Sequence, residues 1–249
     1  MLKYIFLGIV QGATEFLPVS SSGHLVIFQK ALGMAGQELA VSVILHLGTL
    51  CALIIFFFKD ILELLRNPKW LILIAVVTVI TGIIGILGKN FFEALFSSPK
   101  VAALALIITG AILIRTRRFI NSRRNILDIV DALILGLVQG AAIIPGISRS
   151  GITISALLFR KIDRELAFKF SFLASIPVIA GAVFLEAKKI DFALKGSLSA
   201  AGLTAGLISS FIAGIFSLLI LKAVLRKAKL HYFGYYCIIV AVITLLFIR

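Results

Sequence analysis

The chain is short of charge, and shortest of acid. Of its 249 residues only 14% are charged, and 11 Asp or Glu stand against 25 Lys or Arg. A soluble domain carries roughly a quarter of its residues charged, so a surface built for water is excluded. Cysteine is nearly absent. Cys51 and Cys237 both fall inside apolar segments with no second Cys or His at ligand spacing. That excludes a disulfide framework and a thiolate zinc site, and leaves packing as their role. What remains is apolar: 61% of residues are hydrophobic, with a mean hydropathy of +1.14. Leu39 to Phe58 runs twenty residues without a Lys, Arg, Asp or Glu, about the length needed to cross ~30 Å of hydrocarbon. The composition implies an all-α polytopic membrane protein.

A net charge of +14 and a pI near 10.2 would suggest nucleic acid in a soluble chain. Here the basic residues sit in short loops between apolar blocks and form no basic face, so membrane lipids are the expected partners and nucleic acid is not. Met1 opens a segment that reaches a polar motif after about ten residues with no small-residue cleavage site, so no cleavable leader is expected.

Apolar blocks and charged breaks give six spans: Leu39–Phe58, Trp70–Leu87, Val101–Ile114, Leu166–Leu185, Leu198–Leu221 and Leu230–Ile248. Two further segments, Leu2–Leu32 and Ile126–Phe159, are apolar but interrupted by Pro, Ser and Gly. Hydrocarbon offers no partner for the freed backbone groups, so these segments read as re-entrant helix–loop–helix hairpins around a wet cavity. Fifteen basic residues fall in Lys59–Lys69, Arg115–Arg124, Arg160–Arg164 and Lys222–Lys229, against eight in the opposite loops and termini. The positive-inside rule places the first set in the cytoplasm, with Arg115, Arg117, Arg118, Arg123 and Arg124 as its strongest anchor, and both termini outside.

The interrupted segments are copies at an offset of 128 residues. Gly8-Ile9-Val10-Gln11-Gly12-Ala13 aligns with Gly136-Leu137-Val138-Gln139-Gly140-Ala141, and Ser20-Ser21-Ser22-Gly23 with Ser148-Arg149-Ser150-Gly151. Pro18 and Pro145 precede the two serine clusters. Three spans follow each copy, and an odd number of crossings inverts the second half. The organisation expected is one membrane domain over 1–249, with repeat one at 1–114, a cytoplasmic connector at 115–125 and repeat two at 126–249. Paired broken segments in an inverted repeat point to a site near the midplane where the two loops meet. The Gly8/Gly12, Gly136/Gly140 and Gly202/Gly206 pairs have the spacing of close helix packing.

Gln11 and Glu15, four apart, share one helix face, and an ionisable residue inside an apolar span is functional by default. Ser20, Ser21 and Ser22 follow a proline and lead into Gly23, a turn that leaves backbone N–H groups free for an anion. The same turn also reads as a plain helix cap. His24 is near enough in sequence to serve a serine as base or acid. Arg149, in the second turn, needs a carboxylate or phosphate partner for its planar fork, whether Glu15 or a ligand. Ser148, Ser150, Gly151 and Thr153 supply hydroxyls and amides around it for an oxyanion. His46 either bonds within the bundle or lines the same cavity. His231 is expected at the membrane interface, Pro177 to kink its helix, and Lys169 to pair with Glu165 at helical spacing.

On these residues the chain resembles the undecaprenyl-diphosphatases, also called bacitracin-resistance proteins. Gln11-Gly12-Ala13-Thr14-Glu15 matches the family's (E/Q)xxxE motif, which Pro18-Val19-Ser20-Ser21-Ser22-Gly23-His24 continues. Pro145-Gly146-Ile147-Ser148-Arg149-Ser150-Gly151-Ile152-Thr153 matches its PGxSRSxxT motif. His46-Leu47-Gly48-Thr49 and Ser171-Phe172-Leu173 are also similar, and the resemblance covers essentially the whole chain. Many members carry Glu where this chain has Gln11, so a metal site of two carboxylates would have one here. The resemblance implies hydrolysis of a C55 polyprenyl diphosphate to the monophosphate and inorganic phosphate, which recycles the lipid carrier of envelope polymers. It also implies a multi-pass protein of the cell membrane whose site opens outward, Ser21 as nucleophile, and support by Mg²⁺ or Ca²⁺ at Glu15 and Gln11. His24, Glu15 and Arg149 complete the expected catalytic set, with Ser20, Ser22, Ser148, Ser150, Gly151 and Thr153 on the diphosphate. A homodimer is compatible with this expectation. The competing class is a transporter or flippase of a phosphate-headed lipid, which uses broken helices in the same way. A non-catalytic scaffold leaves a buried Glu, His and Arg unexplained.

Overall fold

The computed structural model describes residues 1–34, 37–96, 98–119, 124–189 and 199–247. Arg123, Leu198, Ile248 and connector residues 120–123 lie outside them. The helices are α1 (Leu2–Phe16), α2 (Ser21–Ala31), α3 (Glu38–Phe56), α4 (Phe58–Leu65), α5 (Pro68–Leu87), α6 (Lys89–Phe96), α7 (Pro99–Arg115), α8 (Ile129–Ala141), α9 (Arg149–Phe159), α10 (Arg164–Ala187), α11 (Ala200–Arg226) and α12 (His231–Phe247). No strand occurs among the described residues beyond one isolated bridge, Arg124 to Ile162.

Four helices, α3, α5, α10 and α11, are long and apolar enough to cross a membrane, and α6 with α7, bent by 98°, makes a fifth if counted as one span. At 1.5 Å per residue the 17 residues of α12 reach only about 25 Å, which is why length alone supports fewer than the six spans expected. Local chemistry sets several starts. Asn67 caps α5 by accepting the Trp70 N–H at 3.4 Å, with Pro68 at the first helical position, where it loses no bond. Ser199 caps α11 through the Gly202 N–H at 3.1 Å.

The short α4 forms in the stretch expected as the Lys59–Lys69 loop, and it corrects one expectation. Its Asp60 and Glu63 bind Lys169 of α10 at 2.5 and 3.2 Å, while Glu165 pairs with Lys222 at 3.4 Å and Arg226 at 3.0 Å on α11. Lys169 and Glu165 therefore do not pair, because each finds a partner on a neighbouring helix. α10 continues through Pro177 to Ala187.

Packing crosses between the halves: α1 lies against α11, α8 against α5, and α7 against α12. The glycine pairs permit this. A Cβ on Gly12 would stand 2.5 Å from the Ser210 carbonyl and 2.6 Å from Ala213 Cβ, and one on Gly136 2.9 Å from Ile80 Cβ. The repeat register extends into these contacts. Thr109 Oγ1 donates to the Gly146 carbonyl at 3.1 Å, and Cys237 Sγ to the Pro18 carbonyl at 3.3 Å. The offset of 128 carries Thr109 onto Cys237 and Pro18 onto Gly146.

A charge cluster that the sequence did not reveal anchors the second hairpin. Asp131, fully buried in α8, takes Arg124 and, at 2.9 Å, Arg160 Nε. Asp128 caps the helix, accepting the Asp131 N–H at 2.9 Å, and binds Arg124 at 2.8 Å. The Arg124 N–H donates to the Lys161 carbonyl and the Asp163 N–H to the Arg124 carbonyl, both at 2.9 Å. The connector is thus tied to the far end of the hairpin, where α9 gives way to α10.

Two stability outcomes follow. Gly12→Ala should lower the melting temperature in detergent, since the backbone contact leaves no room and overpacking costs about 1–3 kcal/mol. Gly82→Ala, with nothing within 4 Å of its Cβ, should be neutral or stabilising by about 0.5–1 kcal/mol. The reverse order would refute the close packing. The Asp131 N–H and then Arg124 hold the Asp128 carboxyl below its ordinary 3.8. A depressed carboxyl stabilises the fold above its unfolded value near 3.9, and that contribution is lost as pH falls through the lower folded value. The melting difference between wild type and Asp128→Asn should therefore shrink between about pH 5 and about pH 3; a constant difference would exclude this linkage.

Candidate active site

α1 ends where it must. Leu17 precedes Pro18 and takes extended angles, φ −66° and ψ 145°, because the proline ring disfavours helix at the residue before it. The chain then turns through Ser20, whose φ of 67° is left-handed. For a non-glycine residue that conformation costs about 1–3 kcal/mol and persists only when its surroundings enforce it. α2 starts at the next residue, so Ser21 and Ser22 open a helix whose first N–H groups have no partner within it. Glu15, in the last turn of α1, faces this start.

Around Glu15 the polar groups converge. Ser21 Oγ donates to its Oε2 at 2.7 Å, Gln11 Nε2 to the same oxygen at 3.2 Å, and Arg149 Nη2 to Oε1 at 2.9 Å. His46 Nε2 stands 3.8 Å away, with Nδ1 on the Ser42 carbonyl at 2.8 Å. The Glu15 and Arg149 side chains are 9% and 15% exposed, so this is a buried ion pair linking the two hairpins. Removing one member of such a pair costs about 3–5 kcal/mol. Two buried atoms remain without a partner: Gln11 Oε1 and Arg149 Nη1.

Arg149 is built in from behind. Ser148 caps α9 through the Gly151 N–H at 3.3 Å, and its own N–H donates to Thr109 Oγ1 at 3.2 Å. Gly146, at φ 91° and packed onto the Ala102 carbonyl, makes the turn; this is a place where only glycine fits. The guanidinium lies 5.4 Å from the Phe172 ring centre. Phe172 in turn packs on Phe16, Phe57 and Phe168 with ring centres 5.1–6.0 Å apart.

A cavity of about 550 Å³ opens onto Glu15, Ser20, Ser21, Ser22, His46, Ser148 and Arg149. Val178, Ile179, Ala182 and Val183 of α10 form an apolar wall, and Glu38 and Glu186, at the start of α3 and the end of α10, also line it. Several expected residues do not line this cavity. Ser150 faces Ser148 Oγ at 3.4 Å, and Thr153 Oγ1 donates to the Arg149 carbonyl at 2.6 Å beside Ser171 Oγ at 2.7 Å. With the Gly151 N–H on Ser148, these three groups support the turn and do not face the cavity. His24 is also absent from the lining: Nδ1 meets the Ser20 carbonyl at 2.8 Å and Nε2 the Tyr236 hydroxyl at 2.9 Å. Tyr236 and Thr109 were missed, since nothing in one sequence marks which span residue will touch a loop more than two hundred positions, or only a few tens, away.

The arrangement can activate a hydroxyl. Ser21 already points its proton at a carboxylate, and Arg149 keeps one buried nitrogen without a partner. The family model described as "Bacitracin resistance protein BacA" matches residues 4–243. A protein of Halothermothrix orenii named undecaprenyl-diphosphatase is 42% identical, over 99% of this chain and 97% of its own. Similarly named proteins of Alkaliphilus metalliredigens and Carboxydothermus hydrogenoformans are 40% and 42% identical, over 98% and 96% of this chain and 98% and 94% of theirs. The chain belongs to the bacitracin resistance protein BacA family.

Proposed function

We propose that this protein hydrolyses undecaprenyl diphosphate to undecaprenyl phosphate and inorganic phosphate, returning the lipid carrier to envelope polymer synthesis. The observation that carries it is Ser21 Oγ donating to Glu15 Oε2 at 2.7 Å, with Arg149 on the other carboxylate oxygen. Ser21 attacks the terminal phosphorus as Glu15 takes its proton; the bond to the bridging oxygen breaks, and undecaprenyl phosphate leaves. Water then attacks the phosphoserine and releases phosphate. Arg149 Nη1 and the first amides of α2 receive the charge on the phosphoryl oxygens, the kind of preorganised stabilisation that contributes most to catalysis. The apolar wall of α10 takes the near end of the prenyl chain. Every group comes from one chain, so a homodimer is compatible but not required. The relatives' names are those of a phosphatase, and a flippase reading is not favoured.

Among the described residues no group of three His, Cys, Asp or Glu stands ready for a metal. Gln11 Oε1, buried and unpartnered beside Glu15, is a hard oxygen donor, and such cations are often held by one or two protein oxygens together with substrate phosphates. Gln11 and Glu15 would hold Mg²⁺ or Ca²⁺ in this way, and the ion would offset diphosphate charge.

We also propose the inverted repeat of six spans and two re-entrant hairpins in the cell membrane, over 1–114 and 126–249, with the site open to the outside. Glu38 and Glu186 line the cavity at helix ends that the distribution of basic residues assigns to the outer face.

Phosphate release from C55 diphosphate by the purified protein tests the activity. Arg149→Ala and Glu15→Ala should each lower kcat by about 10²-fold or more, and labelled phosphate should be trapped on Ser21. Wild-type turnover in either variant would refute the site. Sidedness is tested separately: an impermeant thiol reagent added outside should inactivate Ser22→Cys, with a substrate analogue protecting. Modification from the cytoplasmic face alone would reverse the orientation.

A further inference from the structure

The two serine turns are copies in sequence and differ in shape. Ser20 and Ser148 are equivalent at the 128-residue offset, and each hydroxyl faces that of the serine two residues on, at 3.3 and 3.4 Å. Ser148 has an ordinary φ of −78° and caps its helix. Ser20 is left-handed at 67°, and its carbonyl is taken by the His24 ring at 2.8 Å. The position equivalent to His24 is Ile152. The imidazole is thus found only with the strained turn.

Its surroundings set its tautomer. A carbonyl can only accept, so Nδ1 carries the hydrogen and Nε2 offers a lone pair to the Tyr236 hydroxyl at 2.9 Å. The two rings lie nearly parallel, 11° apart with centres 6.1 Å apart. The next residue of α12, Cys237, donates to the Pro18 carbonyl. α12 therefore grips the turn at its entrance directly and at its exit through His24. Meanwhile Ser21, Ser22, Leu25, Val26 and Gln29 line the cavity from the other side of α2.

We propose that His24 and Tyr236 are positioning residues: the Tyr236 hydroxyl fixes the imidazole, the imidazole holds the Ser20 carbonyl, and the left-handed Ser20 so maintained presents Ser21 to Glu15. His24 neither touches substrate nor exchanges its proton in the reaction. This rests on the phosphatase reading above and assigns the work of proton transfer from Ser21 to Glu15 alone.

The test uses purified full-length protein and phosphate release from C55 diphosphate. Asn places an amide N–H near the position of Nδ1 but cannot titrate. His24→Asn should stay within about tenfold of wild-type kcat, whereas His24→Ala should fall well below it; a general acid or base would lose about 10²–10⁴-fold in both. Tyr236→Phe should lower kcat about tenfold with KM unchanged. Glycine adopts the left-handed turn without strain, so the same Tyr236→Phe change made on a Ser20→Gly background should cost about twofold or less, measured against Ser20→Gly itself. His24→Asn as inactive as His24→Ala, or an equal Tyr236→Phe cost on both backgrounds, would overturn the positioning role. An inactive wild type would instead refute the phosphatase reading.

Discussion

The ion pair between Glu15 and Arg149 joins the two hairpins across 134 residues of sequence. Neither charge is tenable alone in an apolar bundle, so each hairpin tip fixes the other's position. The site exists only where they meet. The same pair orders the chemistry, because Arg149 occupies one Glu15 oxygen and leaves the other to Ser21. Buried on both sides, it is also a liability, since loss of either partner strands a charge.

Holding that meeting point falls to helices distant from it. α7 secures the second turn through Thr109, and α12 the first through Cys237 and Tyr236. α7 and α12 pack on each other, and Gly110 and Gly234 allow the contact. Each half thus carries the restraint for the opposite half's loop. Phe172, backed by Phe16, Phe57 and Phe168, packs against the guanidinium.

Repeat symmetry explains the scaffold, and departures from it explain the site. Thr109 and Cys237 keep one role at equal offset, each donating to a turn carbonyl, and Ser20 and Ser148 each face the serine two residues on. Glu15 is matched by Ile143, Ser21 by Arg149 and His24 by Ile152. One copy supplies Ser21 and the carboxylate, the other the guanidinium, and together they make a single cluster.

The sequence by itself determined the membrane class, the duplicated segments, the glycine pairs and the meeting of Gln11, Glu15, Ser21 and Arg149. Hydropathy, spacing and the cost of burying a charge are local properties that one chain displays. The short helices were less legible: α4 and α6 form in stretches expected as loops after Phe58 and Leu87, because an unbroken apolar run marks a span and not a short charged helix at its end. Only the tertiary structure decided that His24 turns away from the cavity, that Ser150 and Thr153 serve the turn behind Arg149, and that Lys169 leaves Glu165 for α4. It alone gathered Arg124, Asp128, Asp131 and Arg160 into one anchor. Each of these depends on which face of a helix meets which neighbour, and sequence spacing fixes the faces but not the neighbours.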